Sequence, residues 1–218
     1  MRNHLCAAAF ALFAAACQPA QPLTLDAPLS MSAEVKLTRL EHDGLECQIA
    51  LGTASGLRTR VAEPGAGTDQ CPLDGTVVIE RSGFVYGREL AATCPLAAAL
   101  YLWEKDIVAP AAQEHLGGQV VRIEERGTFS CRNRYGRAQG DISEHARANA
   151  IDVAGMRLAD GRHVSVQDDW GKDTPEGRFL AAVRDRSCRV FDGVLSPDYN
   201  AAHRDHLHLD RGPDRICS

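Results

Sequence analysis

Short segments that are rich in β-branched residues, follow a turn, or alternate apolar and polar residues predict a set of short strands in this chain. The clearest of them lie at residues 75–79, 119–123, 150–153, 162–166 and 207–210. Weaker patterns predict two more strands, at 34–40 and at 128–132 beside 119–123. Helical spacing of apolar residues predicts helices over 95–112, where Pro95 suits a first turn, and over 176–185. Because strands and helices do not alternate regularly, the pattern favours an α+β fold, a small antiparallel sheet with flanking helices.

The densest chemical signal is the sequence HRDHLHLD at residues 203–210. Side chains of a strand point alternately to its two faces, so His206, His208 and Asp210 are predicted to share one face. Leu207 and Leu209 would then pack on the other face. The pattern therefore projects two imidazoles to the same side of the sheet.

A second polar group comes from the segment that contains His145 and Asp152. In the strand predicted at 150–153, Asp152 faces away from its apolar neighbours, and a carboxylate on an inner strand needs a partner. Imidazole nitrogens and carboxylate oxygens suit zinc, and a catalytic zinc site typically has three protein ligands and one open position. We therefore predict zinc as the cofactor and His145, Asp152 and His208 as its ligands.

The alternative interpretation of this cluster is a network of polar side chains joined only by hydrogen bonds. Isolated histidines are mostly surface or satisfied residues, and we interpret His42, His115 and His163 in that way. Trp103 and Trp170 are interpreted as core residues and not as binding platforms.

The N-terminus has the features of a secretory signal: Arg2, an apolar stretch at residues 5–16, and then Cys17. That stretch is only about a dozen residues long, too short for a helix that spans a bilayer. The residues before Cys17 resemble a lipoprotein cleavage box, with Ala in place of the usual Leu, so Cys17 is a candidate lipidation site. Ordinary cleavage near Ala16 or Ala20 is the alternative.

These features predict a signal peptide at 1–17, a flexible tether at 18–32 and a folded domain at 33–218. The expected location is the periplasm or cell envelope, with membrane contact only through a lipid on Cys17. A net charge of -5 and a hydrophobic content of 44% describe an ordinary globular protein without a basic face, so nucleic acid is not expected as a partner.

Of the eight cysteines, six follow Cys17. An even number of cysteines after a secretory signal predicts three disulfides and leaves the pairing open. The six are Cys47, Cys71, Cys94, Cys131, Cys188 and Cys217.

Several short motifs resemble those of the bacterial extensin-like protein family, over nearly all of the region from about Cys47 to Cys217. They are CPLA at 94–97, FSCR at 129–132, SEHA at 143–146, NAID at 149–152 and YNAAHRDHLHLD at 199–210. The same residues are similar to the zinc core shared by D-Ala-D-Ala metallopeptidases, lysostaphin-type enzymes and the hedgehog signalling domain. Within that group the pattern is most similar to penicillin-insensitive murein endopeptidase.

This resemblance implies zinc on His145, Asp152 and His208, with His206 as catalytic base and His203 in support. Many relatives use a glutamate base in a Glu-x-x-His arrangement, and Asp205 is placed three residues before His208, but the histidine-rich pattern fits the endopeptidase branch better. The implied activity is hydrolysis of peptide bonds in peptidoglycan, with its peptides as partners. A zinc-stabilised wall-binding protein without turnover is the alternative.

Three further polar residues are candidates for substrate binding. Ser143 would orient substrate or cap a turn. Arg132 and Arg134 would hold a peptide carboxylate through a bidentate guanidinium, or would belong to a solvated strand. Asp210 would accept a hydrogen bond from a ligand imidazole, or would simply end its strand.

Overall fold

The computed structural model describes residues 23–26 and 33–218, and its fold is a mixed α+β arrangement around a small sheet. Its α-helices are α1 Ala33–His42, α2 Gly44–Thr53, α3 Cys94–Trp103, α4 Ala109–Leu116, α5 Val166–Asp169 and α6 Pro175–Ser187. A π-helical turn, Glu104–Val108, joins α3 to α4, and short 3-10 turns lie at Arg134–Gly136, Glu144–Arg147 and Ala201–His203. The predicted α+β class is confirmed.

The strands form one larger and two smaller sheets. They are β1 Arg58–Val61, β2 Gly67–Thr68, β3 Cys71–Pro72, β4 Val77–Arg81, β5 Leu90–Ala92, β6 Val120–Glu125, β7 Ala150–Leu158, β8 His163–Ser165, β9 Gly193–Leu195, β10 Leu207–Asp210 and β11 Ile216–Cys217. In the larger sheet the order is β11-β9-β10-β7-β6, and β8 also pairs with β7. All its pairs are antiparallel except β11 with β9. The strands predicted at 75–79, 119–123, 150–153, 162–166 and 207–210 are thus confirmed, with shifted ends.

Helix α3 lies at the centre of the hydrophobic core, and its residues from Leu96 to Trp103 are all buried. A helix that is apolar on every side is stable only when other elements surround it, as the remaining helices and the sheets do here. Thr93 caps its first turn by accepting a hydrogen bond from Leu96 N, and Pro95 occupies that turn as predicted. The indole of Trp103 is fully buried and donates to Ser187 Oγ at 2.9 Å, which confirms it as a core residue.

Three disulfides link segments that are distant in sequence, which confirms the prediction from the cysteine count. Cys47–Cys94 joins α2 to α3, and Cys188–Cys217 joins the end of α6 to β11. Cys71–Cys131 joins β3 to the segment that follows β6. In this last segment the chain turns towards the 3-10 turn Glu144–Arg147.

Two predicted strands are wrong. Residues 34–40 belong to α1, because Lys36, Leu37 and Leu40 are buried on one helical face while Val35 is exposed. Residues 128–132 form no strand, since β7 is the partner of β6. Instead, Ser130 N donates to His145 O and Ser143 N donates to Arg132 O, so the segment lies against the 143–145 region.

Of the predicted tether at 18–32, only residues 23–26 are described, and they lie against the domain. Leu25 is fully buried, and Asp26 accepts hydrogen bonds from Ser55 N and from the Tyr101 hydroxyl. The predicted signal peptide and Cys17 lie outside the described residues. Within the described part of the chain, every helix is too short or too polar to cross a bilayer.

Candidate metal centre

The centre of the larger sheet brings His208 and Asp152 face to face. Strands β10 and β7 pair in a register that sets His208 opposite Asp152, while Leu207 and Leu209 are fully buried on the other face. In an antiparallel pair, directly opposed side chains on one face are close neighbours. The strand alternation predicted from the sequence and the cross-strand register together fix this pair.

His145 reaches the same point from the 3-10 turn Glu144–Arg147. Ser143 caps this turn by accepting a hydrogen bond from His145 N at 3.3 Å, so the capping interpretation of Ser143 is confirmed. After the turn Ala148 has a φ of 52°, and the chain then enters β7. His145 itself is buried.

One atom from each of these three side chains converges on a single point. His145 Nε2 lies 3.1 Å from Asp152 Oδ1 and 3.2 Å from His208 Nδ1, and the last two atoms lie 2.9 Å apart. In a tetrahedral site with metal–ligand bonds of about 2.0–2.1 Å, neighbouring ligand atoms are about 3.3 Å apart. The predicted ligands are therefore already close to the spacing of a metal site.

The far side of each imidazole shows which nitrogen carries the proton. His145 Nδ1 lies 3.2 Å from the carbonyl oxygen of Thr128, and His208 Nε2 lies 2.9 Å from Asp210 Oδ2. Both outer partners accept hydrogen bonds, so the outer nitrogens must donate. In the neutral rings the inner nitrogens then hold lone pairs, which is the form that binds a metal.

Three acceptor atoms in such close contact repel one another unless a cation lies between them. Two singly protonated rings cannot donate to Asp152 Oδ1 while their outer nitrogens also donate. A network without metal requires protonated, positively charged imidazoles in a mostly buried position. The donor set thus fits a divalent cation, and without one the network depends on a charged imidazole beside Asp152.

The titration behaviour of the cluster in the absence of a cation follows from the same contacts. Burial raises the pKa of Asp152, but hydrogen bonds with His145 and His208 outweigh burial and hold it well below its usual value. Burial lowers the pKa of His208, but its hydrogen bonds with Asp152 and Asp210 raise it to about 9. Each partner therefore favours the charged form of the other.

His206 enters the centre beside the triad and is held from behind by an ion pair. Its Nε2 lies 3.6 Å from Asp152 Oδ1, and its Nδ1 lies 3.0 Å from Asp205 Oδ1. Arg126 binds both carboxylate oxygens of Asp205, at 2.9 and 2.8 Å. Arg126 also lies 3.4 Å from His206 Nδ1, but the shorter contact favours Nδ1–H donating to Asp205. His206 Nε2 then carries no proton, and its lone pair faces the triad.

His203 packs against the other histidines. Its ring centroid lies 5.2 Å from that of His206 and 5.9 Å from that of His208, and its Nδ1 lies 2.9 Å from Asn200 Oδ1. Burial, followed by the nearby charges of His208 and His206, lowers the pKa of His203 to about 4. The ring of His203 is therefore neutral at neutral pH, and it packs against the rings of His206 and His208.

Asp210 approaches His208 because two glycines leave room for its carboxylate. A side chain on Gly193 would collide with both oxygens of Asp210. A side chain on Gly212 would press on Asp210 and on Glu144, and Gly212 N donates to Asp210 Oδ1 at 2.7 Å. Asp210 therefore lies where the sequence suggested, but its space depends on glycines that no motif identified.

The triad lines a cavity of about 450 Å³. Arg126, Arg132 and Arg134 line the same cavity, as do Tyr135 and Tyr199, which pack against His203. Sequence reasoning identified Arg132 and Arg134 and missed Arg126 and the two tyrosines. No local pattern marks Arg126, because it reaches Asp205 only through the fold.

Residues 45–218 match the model of a protein family described as extensin-like protein C-terminus. The chain belongs to the extensin-like protein family. This finding confirms the resemblance to the extensin-like family that was drawn from the motifs. No curated protein and no solved structure matches the chain.

Trp170 of this extensin-like protein lies away from the metal centre. Its indole packs against the core, donates to Asp198 Oδ1 at 3.0 Å and lies beneath the guanidinium of Arg184. Both contacts hold the ring in place, as expected of a structural residue.

Proposed function

We propose that this extensin-like protein is an exported zinc peptidase that hydrolyses peptide bonds in peptidoglycan. The observation that carries the proposal is the convergence of His145 Nε2, Asp152 Oδ1 and His208 Nδ1 within 3.2 Å, with both imidazole protons held on the outer nitrogens. Two nitrogens and one oxygen are a ligand set typical of zinc. Three protein ligands leave a tetrahedral site one position for substrate or water.

In the proposed reaction, bound zinc would polarise the scissile carbonyl and lower the pKa of a water molecule to about 7. His206 accepts the proton of the attacking water at Nε2, because its Nδ1–H is engaged by Asp205. It then returns the proton to the leaving amine. Asp205 and Arg126 hold the ring in this orientation, and Asp205 does not itself accept the proton.

Support for the substrate comes from the sequence and from the disulfides. The predicted secretory signal and three disulfides fit a protein that folds in an oxidising compartment such as the periplasm. The histidine-rich motif is similar to that of penicillin-insensitive murein endopeptidase. Peptidoglycan is the peptide-containing polymer that an exported bacterial protein of this type meets.

The test is to incubate zinc-loaded protein with purified sacculi and to identify the released products by mass. We expect products whose mass identifies the cleaved bond, and we expect none with His208→Ala or after removal of the metal by a chelator. A matched control is His163→Ala, since His163 is exposed and pairs only with Glu124.

Two outcomes would contradict the proposal in different ways. A protein that binds zinc but releases nothing from sacculi would be a zinc-stabilised wall-binding protein without turnover. A purified protein with no stoichiometric metal would instead leave the cluster as a hydrogen-bonded network.

A further inference from the structure

The charged residues that line the cavity differ in whether they already have a partner. Arg126 is neutralised by Asp205, and Arg134 forms an ion pair with Asp214 at 2.7 Å. The acidic residues are engaged as well: Glu144 by Arg147 and Asn149, and Asp210 by His208. Of the described arginines that line the cavity, Arg132 is the one whose guanidinium forms no ion pair and no hydrogen bond.

The backbone on both sides of Arg132 is fixed. Cys131 is bonded to Cys71, and Arg132 O accepts a hydrogen bond from Ser143 N at 3.2 Å. Arg134 N donates to Asp141 O at 2.8 Å, so residues 132–134 pair with residues 141–143 as a short two-stranded loop. Because this loop leads into the turn that carries His145, the backbone of Arg132 has a fixed position relative to the metal centre.

The residues next to Arg132 also have features of a binding surface. Tyr135 has a φ of 58°, a left-handed conformation that is costly for a residue with a side chain. Such strain is retained mostly at ligand sites. The exposed rings of Tyr135 and Tyr199 line the cavity, so an incoming chain would lie between an aromatic wall and a cation.

We infer that Arg132 binds the terminal carboxylate of a peptide, so that the substrates are peptides with a free carboxyl terminus beside the cleaved bond. This inference rests on the proposed function and narrows it to cleavage near chain ends. A guanidinium presents parallel N–H donors that match the two oxygens of a carboxylate. A cavity of about 450 Å³ is in the range of small-ligand sites and accommodates the end of a peptide rather than a thick polymer.

The experiment compares two probes that differ only at their carboxyl terminus. Both are the same acetylated tripeptide ending in D-Ala-D-Ala; one has a free carboxylate at its end and the other has a terminal amide. Their dissociation constants are measured on zinc-loaded protein by calorimetry, so the readout does not require turnover. We expect the wild-type protein to bind the acid about 10-fold or more tightly than the amide, as for one charge-assisted hydrogen-bond pair.

Arg132→Gln is expected to remove this preference, and Arg132→Lys to restore only part of it, because lysine keeps the charge and loses the bidentate geometry. Arg137→Gln is the matched control. Arg137 lies in the same loop, with its guanidinium carbon 5.5 Å from the centre of the Tyr135 ring, and it does not line the cavity. Its variant changes the net charge equally and should retain the preference.

Equal binding of acid and amide by the wild-type protein would overturn the inference, as would a preference that persists in Arg132→Gln. Failure of the acid to bind at millimolar concentration would overturn it as well. Hydrolysis of sacculi is scored separately: cleavage without a preference for the acid contradicts only the role of Arg132. A preference for the acid without cleavage of sacculi contradicts only the proposed peptidase activity.

Discussion

Asp210 Oδ2 accepts a hydrogen bond from Nε2 of His208 at 2.9 Å, on the side of the ring opposite the triad. This contact keeps the proton on Nε2 and leaves the lone pair of Nδ1 directed at Asp152 and His145. A residue outside the ligand set thus decides whether His208 can act as a ligand. Such outer partners commonly change metal affinity by about 10- to 100-fold.

Asp210→Asn is expected to weaken zinc binding by about 10- to 100-fold. The carboxylate receives two donors, His208 Nε2–H and Gly212 N–H, whereas an asparagine side chain has only one acceptor oxygen. One donor loses its partner, and a ring that turns to the other tautomer loses its lone pair at Nδ1. Competition with a chelator of known affinity measures the change.

Asp214→Asn is the control for this substitution, because Asp214 lines the same cavity and pairs with Arg134 instead of a histidine. Its zinc affinity should match that of the wild-type protein. An Asp210→Asn protein that retains wild-type zinc affinity would show that the tautomer of His208 is held by other means.

Asp205→Asn and Arg126→Gln are expected to lower kcat on peptidoglycan by about 10- to 100-fold while zinc content stays unchanged. Asp205 holds the Nδ1 proton of His206, and Arg126 holds Asp205 through two contacts. Neither residue belongs to the ligand triad, so the loss should come from a misoriented base. Steady-state rates and metal analysis on the same samples check this.

Arg204→Gln is a suitable comparison, since Arg204 is next to Asp205 in sequence but its guanidinium donates to the Ala201 carbonyl and not to Asp205. A wild-type kcat in Arg126→Gln, with zinc bound, would remove Arg126 from the proposed mechanism, and a wild-type kcat in Asp205→Asn would remove Asp205.

Glu104 is expected to make the protein less stable as the pH rises from about 4.5 to 7. Its buried carboxylate receives Tyr86 O–H at 2.6 Å, Ser82 O–H at 2.8 Å and Gly83 N–H at 2.9 Å. Burial raises its pKa to about 7, although these hydrogen bonds lower it. The folded state therefore binds a proton more tightly than the unfolded chain, whose pKa is near 4.5. The stabilisation of the folded state by this proton on Glu104 is complete below pH 4.5 and is lost as the pH passes 7.

The expected size of this effect is about 3 kcal/mol in the free energy of unfolding. Denaturant unfolding of metal-free protein across this range, compared with Glu104→Gln, isolates it from the histidines. Glutamine does not titrate, so the variant should show the flatter profile. Parallel pH profiles for the two proteins would mean that Glu104 titrates normally.

Replacing Cys47 and Cys94 together by alanine is expected to lower the free energy of unfolding by about 2–5 kcal/mol. The bond joins α2 to the start of the buried helix α3 and closes a loop of 47 residues, so its loss enlarges the set of unfolded conformations. Urea denaturation measures the difference. A reduction below about 0.5 kcal/mol would be too small for a disulfide at this position.

Local pattern alone was enough for several features. The alternation in residues 207–210 and 150–153 predicted the strands and the faces of His208 and Asp152, because the side-chain period of a strand is independent of the rest of the fold. The same reasoning failed at 34–40, where Val35 and Leu37 follow a weak alternation but Leu37 and Leu40 follow a helical period. Packing of both leucines into the core decided in favour of the helix.

The sequence by itself determined the α+β class, the three disulfides, the family and the residues of the triad, since each depends on local period, on cysteine number or on short motifs. Only the tertiary structure decided the cysteine pairing, the register that sets His208 opposite Asp152, and the two ion pairs that leave Arg132 unpaired among the described arginines of the cavity. These are contacts between residues far apart in the chain, such as Arg126 and Asp205. They depend on how the strands and loops pack in three dimensions, and no local spacing encodes them.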